Sequence, residues 1–380
     1  MIFNGLYIHV PYCRNKCIYC DFYSAGLRIA DWDIYIKAIL EELRIRNNEL
    51  SNPPDTFYIG GGTPSLIPAE PFMKLSKEIM KITRQHSPIE FTLEANPEDI
   101  NEEIIQVWKD YGVNRISLGV QSLQGAELKN IGRKHTKDTV LNALSLLKKI
   151  FNNISVDVMF GLPGQTIDSY KYNLKEILKF QPDHISSYSL MLEEGTALTH
   201  LVKNGRLILP SENEWIDMFN LTTEFLIDNG FNRYEISNYA KPGFESLHNS
   251  DYWLGFPYLG IGPGAHSYDG KNIRKSNPND LKGYINFFNE CSINELKNFY
   301  KIEILNHKEL EEEMIMTRLR TTKGLSITEF KNKFGTDITE NLLHKVSTYK
   351  KNNLMKEIND YVSFTDKGFL VSDEILTDLI

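Results

Sequence analysis

Three of the four cysteines, Cys13, Cys17 and Cys20, lie within one short stretch of the chain. Three thiolates on one loop can bind three iron atoms of a cubane cluster and leave the fourth iron open. The amino and carboxylate groups of S-adenosylmethionine (SAM) can chelate that open iron, and an electron from the cluster then cleaves the sulfonium to a 5′-deoxyadenosyl radical. The alternatives are a zinc loop with a distant fourth ligand, or three unrelated thiols, but zinc sites favour closely spaced cysteine pairs. The spacing therefore favours a [4Fe–4S] cluster that presents SAM.

A glycine run, Gly60-Gly61-Gly62-Thr63, follows the next predicted strand of the chain. Glycines let a backbone approach a ligand closely and expose its N–H and C=O groups. A carbonyl here could accept a hydrogen bond from the SAM ammonium group. A glycine run alone is typical of a simple turn, but its place at a strand end, one strand after the cysteines, favours a ligand contact.

Short apolar strands alternate with longer amphipathic helices through the first half of the chain. An alternation of this kind with about six repeats predicts an α/β fold with a parallel sheet. The predicted strands are Leu6–Val10, Thr56–Ile59, Glu90–Glu94, Arg115–Val120, Ile154–Phe160 and His184–Leu190. The predicted helices are Asp33–Asn47, Glu70–Thr83, Glu102–Tyr111, Thr136–Lys149 and Ile167–Phe180.

The predicted strands have one apolar face and one polar or small face. Strands that helices cover on both faces read as nearly continuous apolar runs, so this alternation favours a curled sheet, a partial (β/α)6 barrel of the TIM type. The polar face would then line a cavity. Glu94, Gln121 and Asp157 fall at or near the carboxyl ends of their strands, where barrel folds place their chemistry.

The overall composition limits the partners. The chain has 380 residues and a formal net charge of −8, which argues against nucleic acid, because phosphate binding needs concentrated Lys and Arg. It has no apolar run of the length of a transmembrane helix and no signal peptide at its start, so we expect a cytoplasmic location. Peripheral membrane contact and a homodimer are left open. The isolated Cys291 is expected to be a buried thiol without a role.

The remainder of the chain is less regular. A helix is predicted near Glu212–Asn229, and an aromatic stretch and a glycine-rich stretch, 260–264, come after it. Beyond residue 300 the pattern becomes charged and helical, and Ser326 and Glu329 have the spacing of a capping box. A further helix at Ile338–Lys351 and a hairpin at Val362–Leu370 complete a small, mainly helical, winged-helix-like module for packing or interaction. The predicted domains are 1–235, 236–300 and 301–380.

The cysteine loop and the glycine motif resemble those of the radical SAM superfamily. More closely, the chain is similar to the branch that contains oxygen-independent coproporphyrinogen III dehydrogenase (HemN) and the HemW-type heme chaperones. The segments that carry this resemblance are YIHVPYCRNKCIYCDFYS, GGGTPS, LEANPE, SLGVQS, IGRKH, DVMFGLPGQT, HNSDYW and YLGIGPGAHSY. They span residues 5–270, and the last 80 residues fit the additional domain of the family.

The resemblance implies a set of SAM contacts in addition to the cluster ligands. An arginine suits the SAM carboxylate and an aspartate suits the ribose hydroxyls. Each residue taken alone would pass for a hydrogen-bonded polar group at a strand end. The implied contacts are Tyr7, Tyr19, Gly61, Gly62, Thr63, Glu94, Gln121, Arg133 and Asp157.

Two features separate a heme carrier from an enzyme within this branch. The dehydrogenases have a cysteine two residues after the third cluster ligand, where this chain has Phe22, and a longer segment before the cluster loop. Both departures favour a heme chaperone, with heme as cargo and acceptor hemoproteins such as respiratory enzymes as partners. Coproporphyrinogen III dehydrogenase is the alternative, and a radical SAM methyltransferase acting on heme is the third.

The segment His248-Asn249-Ser250-Asp251-Tyr252-Trp253 resembles the HNxxYW motif of heme chaperones. A neutral imidazole is a common axial ligand of heme iron, and the two aromatic residues could flank a porphyrin. His248 is therefore the candidate heme ligand, although a histidine between aromatic residues is often only structural. His266 and His9 are weaker candidates, and His9 could support the cluster site.

Overall fold

A twelve-stranded sheet contains all six of the strands expected from the sequence. The computed structural model describes residues 4–46, 49, 53–82, 88–290, 296 and 298–380; Cys291 lies outside them. The strands are β1 (Gly5–Val10), β2 (Tyr12–Cys13), β3 (Ala25–Gly26), β4 (Thr56–Gly61), β5 (Glu90–Ala95), β6 (Arg115–Gln121), β7 (Ile154–Phe160), β8 (His184–Ser189), β9 (Asn232–Arg233), β10 (Asn238–Ala240), β11 (Tyr258–Ile261), β12 (His266–Tyr268), β13 (Ile273–Ser276), β14 (Lys301–Ile304), β15 (Leu325–Ser326), β16 (Met355–Ile358) and β17 (Tyr361–Phe364).

Six strands, in the order β1-β4-β5-β6-β7-β8, lie side by side and parallel, which requires a crossover after each strand. Helices form the crossovers between these strands, and further helices follow in the second half of the chain. They are α1 (Trp32–Arg46), α2 (Ala69–Ile82), α3 (Glu102–Asp110), α4 (Gly125–Asn130), α5 (Lys137–Lys148), α6 (Ile167–Leu178), α7 (Ala197–Lys203), α8 (Glu212–Asp228), α9 (Leu247–Trp253), α10 (Leu281–Glu290), α11 (His307–Leu319), α12 (Ile327–Phe334), α13 (Thr336–Lys351), α14 (Asp366–Leu370) and α15 (Ser372–Leu379).

The two faces of the parallel strands differ as the sequence pattern predicts. Ile116, Leu118 and Val120 of β6 are fully buried in the main core together with apolar residues of α5, such as Val140 and Leu144. The polar side chains that alternate with them line a cavity on the other face of the sheet. A sheet whose outer face packs on helices and whose inner face encloses a cavity is a partial barrel, so the predicted fold class is confirmed.

The sheet extends further than the sequence pattern indicated. β11 pairs in parallel with β1, and β12, β13 and β14 continue the sheet in antiparallel pairs. On the other edge, β10 and β9 follow β8. The segment around Gly260 therefore belongs partly to a strand. Its small residues are needed there, because a Cβ at position 260 would lie 1.9 Å from the His266 carbonyl oxygen.

The C-terminal part has the element order of a winged helix, namely α11, β15, α12, α13, β16 and β17. Its three strands pair in the order β15-β17-β16. The Ser326 hydroxyl accepts a hydrogen bond from the Glu329 N–H at the start of α12, which is one half of a capping box. The Glu329 carboxylate pairs with Arg318 and does not complete the box. The hairpin, however, consists of β16 and β17, and its predicted position at Val362–Leu370 was wrong. Thr365 follows β17 and caps α14, because its hydroxyl accepts from the Gly368 N–H.

The C-terminal part packs directly on the barrel. Arg233 of β9 lies over the ring of Phe369 and pairs with Asp366. The Ile236 N–H donates to the Arg320 carbonyl, and residues 235 and 321 form a bridge. Both parts belong to one buried apolar core. The domain divisions expected at residues 235 and 300 stay predictions.

Among the described residues, no helix has the length and apolar character needed to cross a membrane.

Candidate functional site

One cavity of about 1110 Å³ opens on the polar face of the barrel. Small-molecule sites commonly enclose about 300–1,000 Å³, so there is room for more than one ligand of moderate size. The structure brings every candidate residue of the sequence analysis to this cavity. They are Tyr7, Cys13, Cys17, Tyr19, Cys20, Gly61, Gly62, Thr63, Glu94, Gln121, Arg133, Asp157 and His248.

The cysteine loop connects two short strands that pair in parallel, β2 and β3. β2 and β3 pair Cys13 with Gly26, so the loop between them is closed at its base. Ile18, near its middle, donates its N–H to the Ile131 carbonyl and accepts a hydrogen bond from the Leu198 N–H. The loop is therefore held on two sides before any ligand is bound.

The three thiols are free and partly exposed to the cavity. Burial raises the pKa of the Cys13 and Cys20 thiols, and the hydrogen bond from the Thr63 hydroxyl to the Cys13 Sγ, 3.7 Å long, opposes this effect. In the described part of the chain, no three His, Cys, Asp or Glu side chains converge on a single ion. Thiolates that bind separate iron atoms of a cubane have no need to converge in that way. The donor set thus fits an iron–sulfur cluster.

The glycine run packs too closely on β1 and β2 to carry side chains. Gly61 has a φ of +113°, and a Cβ there would lie 2.7 Å from the His9 ring. A Cβ on Gly62 would lie 2.8 Å from the Tyr12 carbonyl oxygen. Only glycine combines this backbone conformation with this spacing. Gly61, Gly62 and Thr63 also line the cavity, so the run borders it beside Cys13, where a ligand could contact its backbone.

Glu94 lies at the end of β5 and is held by two donors. Its Oε1 accepts from the Tyr58 hydroxyl at 2.8 Å, and its Oε2 accepts from the Gly61 N–H at 3.1 Å. Burial raises the pKa of Glu94 to about 7, and the nearby Asp157 carboxylate adds to the rise. A carboxylate that is costly to ionise, yet points into a cavity, is a group suited to binding a cationic or hydroxyl-bearing ligand.

Arg133 reaches the cavity from the loop that follows α4. Its Nη1 donates to the Asn96 Oδ1 at 2.6 Å and its Nη2 donates to the Tyr19 hydroxyl at 3.2 Å. Its Nε is buried and has no partner among the described residues. An unpaired buried donor on a charged group is costly, and an anionic ligand in the cavity would satisfy it. This fits the carboxylate of SAM.

Gln121 and Asp157 lie on neighbouring strands and face the same cavity. Gln121 has a φ of 65° at an irregular position in the pairing of β6 with β7. A non-glycine residue in this region is strained, which is common at ligand sites. The Asp157 carboxylate accepts from the Ser117 hydroxyl at 3.0 Å, and burial raises its pKa.

Tyr7 and His9 form a hydrogen-bonded chain on β1. The Tyr23 carbonyl accepts from the His9 Nε2 at 3.2 Å, so the His9 Nδ1 accepts from the Tyr7 hydroxyl at 3.0 Å. Burial lowers the pKa of His9. These bonds join β1 to Tyr23 of the cysteine loop, which agrees with a supporting position for His9.

His248 is almost fully buried, and both of its ring nitrogens have partners. Nδ1 lies 2.8 Å from the Thr56 hydroxyl and Nε2 lies 2.8 Å from the Tyr252 hydroxyl. Its ring stacks on Tyr58 at 5.0 Å, and burial lowers its pKa to about 3. Glu90 fixes the start of α9 by accepting from the N–H groups of residues 247 and 248. In this arrangement neither nitrogen is available to an iron atom, and heme ligation by His248 stays a prediction.

Two further residues of the site escaped the sequence analysis. Asn96 lies two residues after Glu94 and orients Arg133. Arg115, at the start of β6, is buried beside the cavity, and its charge favours the ionised forms of Glu94 and Asp157. Asn96 falls in the segment LEANPE, so its position in a motif could have identified it. Arg115 precedes the alternating part of its strand and gave no such signal.

Comparisons with known proteins agree with this architecture. The radical SAM superfamily matches residues 7–177, and the HemN C-terminal domain matches residues 305–371. The fold is similar to that of coproporphyrinogen III oxidase (HemN) from Escherichia coli, with a TM-score of 0.84 at 21% identity, over 100% of this chain and 90% of that one.

Sequence relatives narrow the assignment. The chain is 37% identical to the heme chaperone HemW of Lactococcus lactis over 98% of this chain and 96% of the relative. It is 35% identical to the heme chaperone HemW of Bacillus subtilis over 98% of both. Identity at this level over nearly the whole length shows common family membership. The chain therefore belongs to the family of the heme chaperone HemW, within the radical SAM superfamily.

Proposed function

We propose that this protein binds heme and transfers it to acceptor hemoproteins, and that it carries a [4Fe–4S] cluster and SAM in the same cavity. The observation that carries the proposal is the lining of that cavity. It includes the cysteine loop, the SAM candidates and the aromatic residues Trp253, Phe256 and Tyr258. An aromatic wall suits a flat apolar ligand, and the relatives that are named heme chaperones agree with this ligand.

The residues that would bind the cluster and SAM can each be given a role. Cys13, Cys17 and Cys20 would each hold one iron, and the cluster would supply an electron to SAM when both are bound. The backbone of residues 61–63 would bind the SAM ammonium and Arg133 would pair with its carboxylate. Asp157 would accept hydrogen bonds from the ribose hydroxyls.

The alternative is oxidative decarboxylation of coproporphyrinogen III, which the overall similarity to the oxidase HemN favours. Phe22 opposes this alternative. It lines the cavity with 63% of its surface exposed, at the position where the dehydrogenases have a further cysteine. A phenyl ring offers neither a thiol proton nor a thiolate. The proposal includes hemoproteins such as respiratory enzymes as acceptors and a cytoplasmic location.

Two measurements on one preparation of the protein distinguish the heme carrier from the enzyme. The cluster is reconstituted anaerobically, and SAM, a reductant and coproporphyrinogen III are added, with product measured by mass spectrometry. The same preparation is then titrated with heme and mixed with a heme-free acceptor. We expect no decarboxylated product, stable binding of one heme per chain, and transfer to the acceptor. Many turnovers of product would show a dehydrogenase, and an intact cluster without heme binding would refute the carrier function.

A further inference from the structure

The end of β6 departs from regular strand geometry beside the SAM candidates. Val120 has no pairing partner on β7, because the partners of its two neighbours, Asp157 and Val158, are consecutive residues. Gln121 has a φ of 65°, in the left-handed region that non-glycine residues seldom adopt. A bulge of this kind re-aims the side chain beside it, and a strained residue persists only where its surroundings hold it in place. A contact near Val120 must therefore fix this conformation.

His135 supplies that contact. Its side chain is buried, and its Nε2 donates to the Val120 carbonyl at 3.0 Å, since a carbonyl oxygen can only accept. The Ser122 N–H donates to the same oxygen at 2.8 Å. Two donors thus fix the direction of the peptide group that leads into Gln121.

The backbone of His135 is itself well anchored. The next residue, Thr136, caps α5 with its hydroxyl as part of a capping box, and α5 packs in the main core through Val140 and Leu144. On its other side, the His135 Nδ1 lies 3.5 Å from the Glu98 Oε2. His135 therefore connects three segments that border the cavity, LEANPE, SLGVQS and IGRKH.

Side chains from these three segments meet above Gly119. A Cβ at that position would lie 3.2 Å from the Gln121 Nε2, 3.4 Å from the Asn96 Oδ1 and 3.5 Å from the Arg133 Nη2, and all four residues line the cavity. Arg133 and Asn96 are hydrogen-bonded to each other. The Gln121 amide has no hydrogen bond within the part of the chain that the structure describes, so its direction depends on its backbone.

We propose that His135 is a positioning residue of the SAM site. By holding the Val120 carbonyl, it keeps Gln121 in the strained conformation that directs its amide to the ligand beside Arg133. This inference deepens the proposed function and rests on its SAM binding. Without a donor at position 135, the Ser122 N–H alone would hold the carbonyl. Gln121 would then relax toward an extended conformation that directs its amide elsewhere.

The test compares His135→Met with His135→Gln in full-length, cluster-reconstituted protein, with SAM binding measured by calorimetry. Both replacements are unbranched and of similar length, but only glutamine has a donor to replace Nε2. We expect the dissociation constant of SAM to rise about tenfold in His135→Met and to stay within about threefold of the wild type in His135→Gln. Tyr170→Phe removes a buried hydroxyl that bonds to Ser187 and Thr222. It is the control for lost stability and should bind SAM as the wild type does.

A double-mutant cycle with Gln121→Gly shows whether His135 acts through Gln121. Glycine tolerates the positive φ, so this variant removes the side chain without added strain. In that background His135→Met should weaken SAM binding less than about twofold, because no amide is left to position. A loss of about tenfold in both backgrounds would overturn the role of His135, and so would a His135→Met variant with wild-type affinity.

The outcomes separate this inference from the proposed function. Wild-type protein with an intact cluster that binds no SAM would refute the SAM binding of the proposed function itself. Binding by the wild type, together with equal losses in His135→Met and His135→Gln, would overturn the role of His135 alone. Cluster absorbance and the unfolding midpoint report that each variant is folded.

Discussion

Replacement of Glu94 by Gln should make the protein more stable and its SAM binding weaker. The amide has nearly the same shape as the carboxylate. Its oxygen can accept from the Gly61 N–H, and its NH₂ group can donate to the Tyr58 hydroxyl, so both contacts of the carboxylate have a substitute. The substitution therefore removes the charge and leaves the local geometry.

The magnitude follows from the pKa of Glu94, which burial raises from 4.5 to about 7. Such a rise makes the ionised carboxylate about 3 kcal/mol less favourable in the folded protein. Glu94 is partly exposed to the cavity, and water there screens part of the charge, so we expect roughly 1–2 kcal/mol. Because the folded state holds its proton more tightly, this carboxyl stabilises the fold fully below about pH 4.5, and that stability is lost as the pH rises through about 7.

The assay is chemical unfolding of the apoprotein at pH 5 and at pH 8. From pH 5 to pH 8 the wild type should lose free energy of unfolding that Glu94→Gln does not lose. The variant should therefore gain stability relative to the wild type as the pH rises. Calorimetry on the reconstituted protein should show SAM binding weakened by about 10- to 100-fold, the range expected for loss of a hydrogen bond to a charged group. Glu340→Gln, at an exposed position of α13, is the control for a carboxylate without either effect.

Either of two results would refute this reasoning. A Glu94→Gln variant that is less stable than the wild type at pH 8 would show that the carboxylate is stabilising in its ionised form. Unchanged SAM affinity in the same variant would remove Glu94 from the ligand site. The two measurements are independent, so failure of one leaves the other informative.

Three other substitutions test neighbouring parts of the site. Cys17→Ser should lose the brown absorbance and most of the bound iron, and retention of about four irons per chain would exclude the cluster assignment. Arg133→Lys should weaken SAM binding about tenfold or more, because lysine lacks the planar fork, with calorimetry as the measurement and cluster content as the control. Tyr252→Phe should lower the free energy of unfolding by about 1 kcal/mol, because His248 loses one of its two partners; an unchanged unfolding midpoint would contradict the buried bond.

The sequence was sufficient to predict the parallel half of the fold. Ile154–Phe160 was predicted with the bounds that the structure has, and the alternation of apolar and polar residues in β6 gave the side of the sheet that faces the cavity. Such strands carry a strong local pattern, since one face packs on helices and the other meets a ligand. The positions of Glu94, Gln121 and Asp157 in one cavity followed from that pattern.

The antiparallel extension could not be predicted in the same way. β12 has only three residues and β13 has four, too few for an alternation to stand out. Pairing between distant segments, such as β11 with β1, depends on tertiary packing that no local window contains. For the same reason the motif at residues 248–253 indicated a heme contact at His248, while the hydrogen bonds that occupy its ring became visible only in the folded arrangement.

The packing of the C-terminal part on the barrel has a consequence for cooperativity. Arg233, Asp366 and Phe369 join the two parts at the edge of the sheet, and one apolar core runs through both. Unfolding of the C-terminal helices would expose that core and remove the Asp366 carboxylate from the Arg233 guanidinium. Heat or denaturant should therefore melt the two parts in one transition, and a truncated barrel would be a poor substitute for the full chain in any binding experiment.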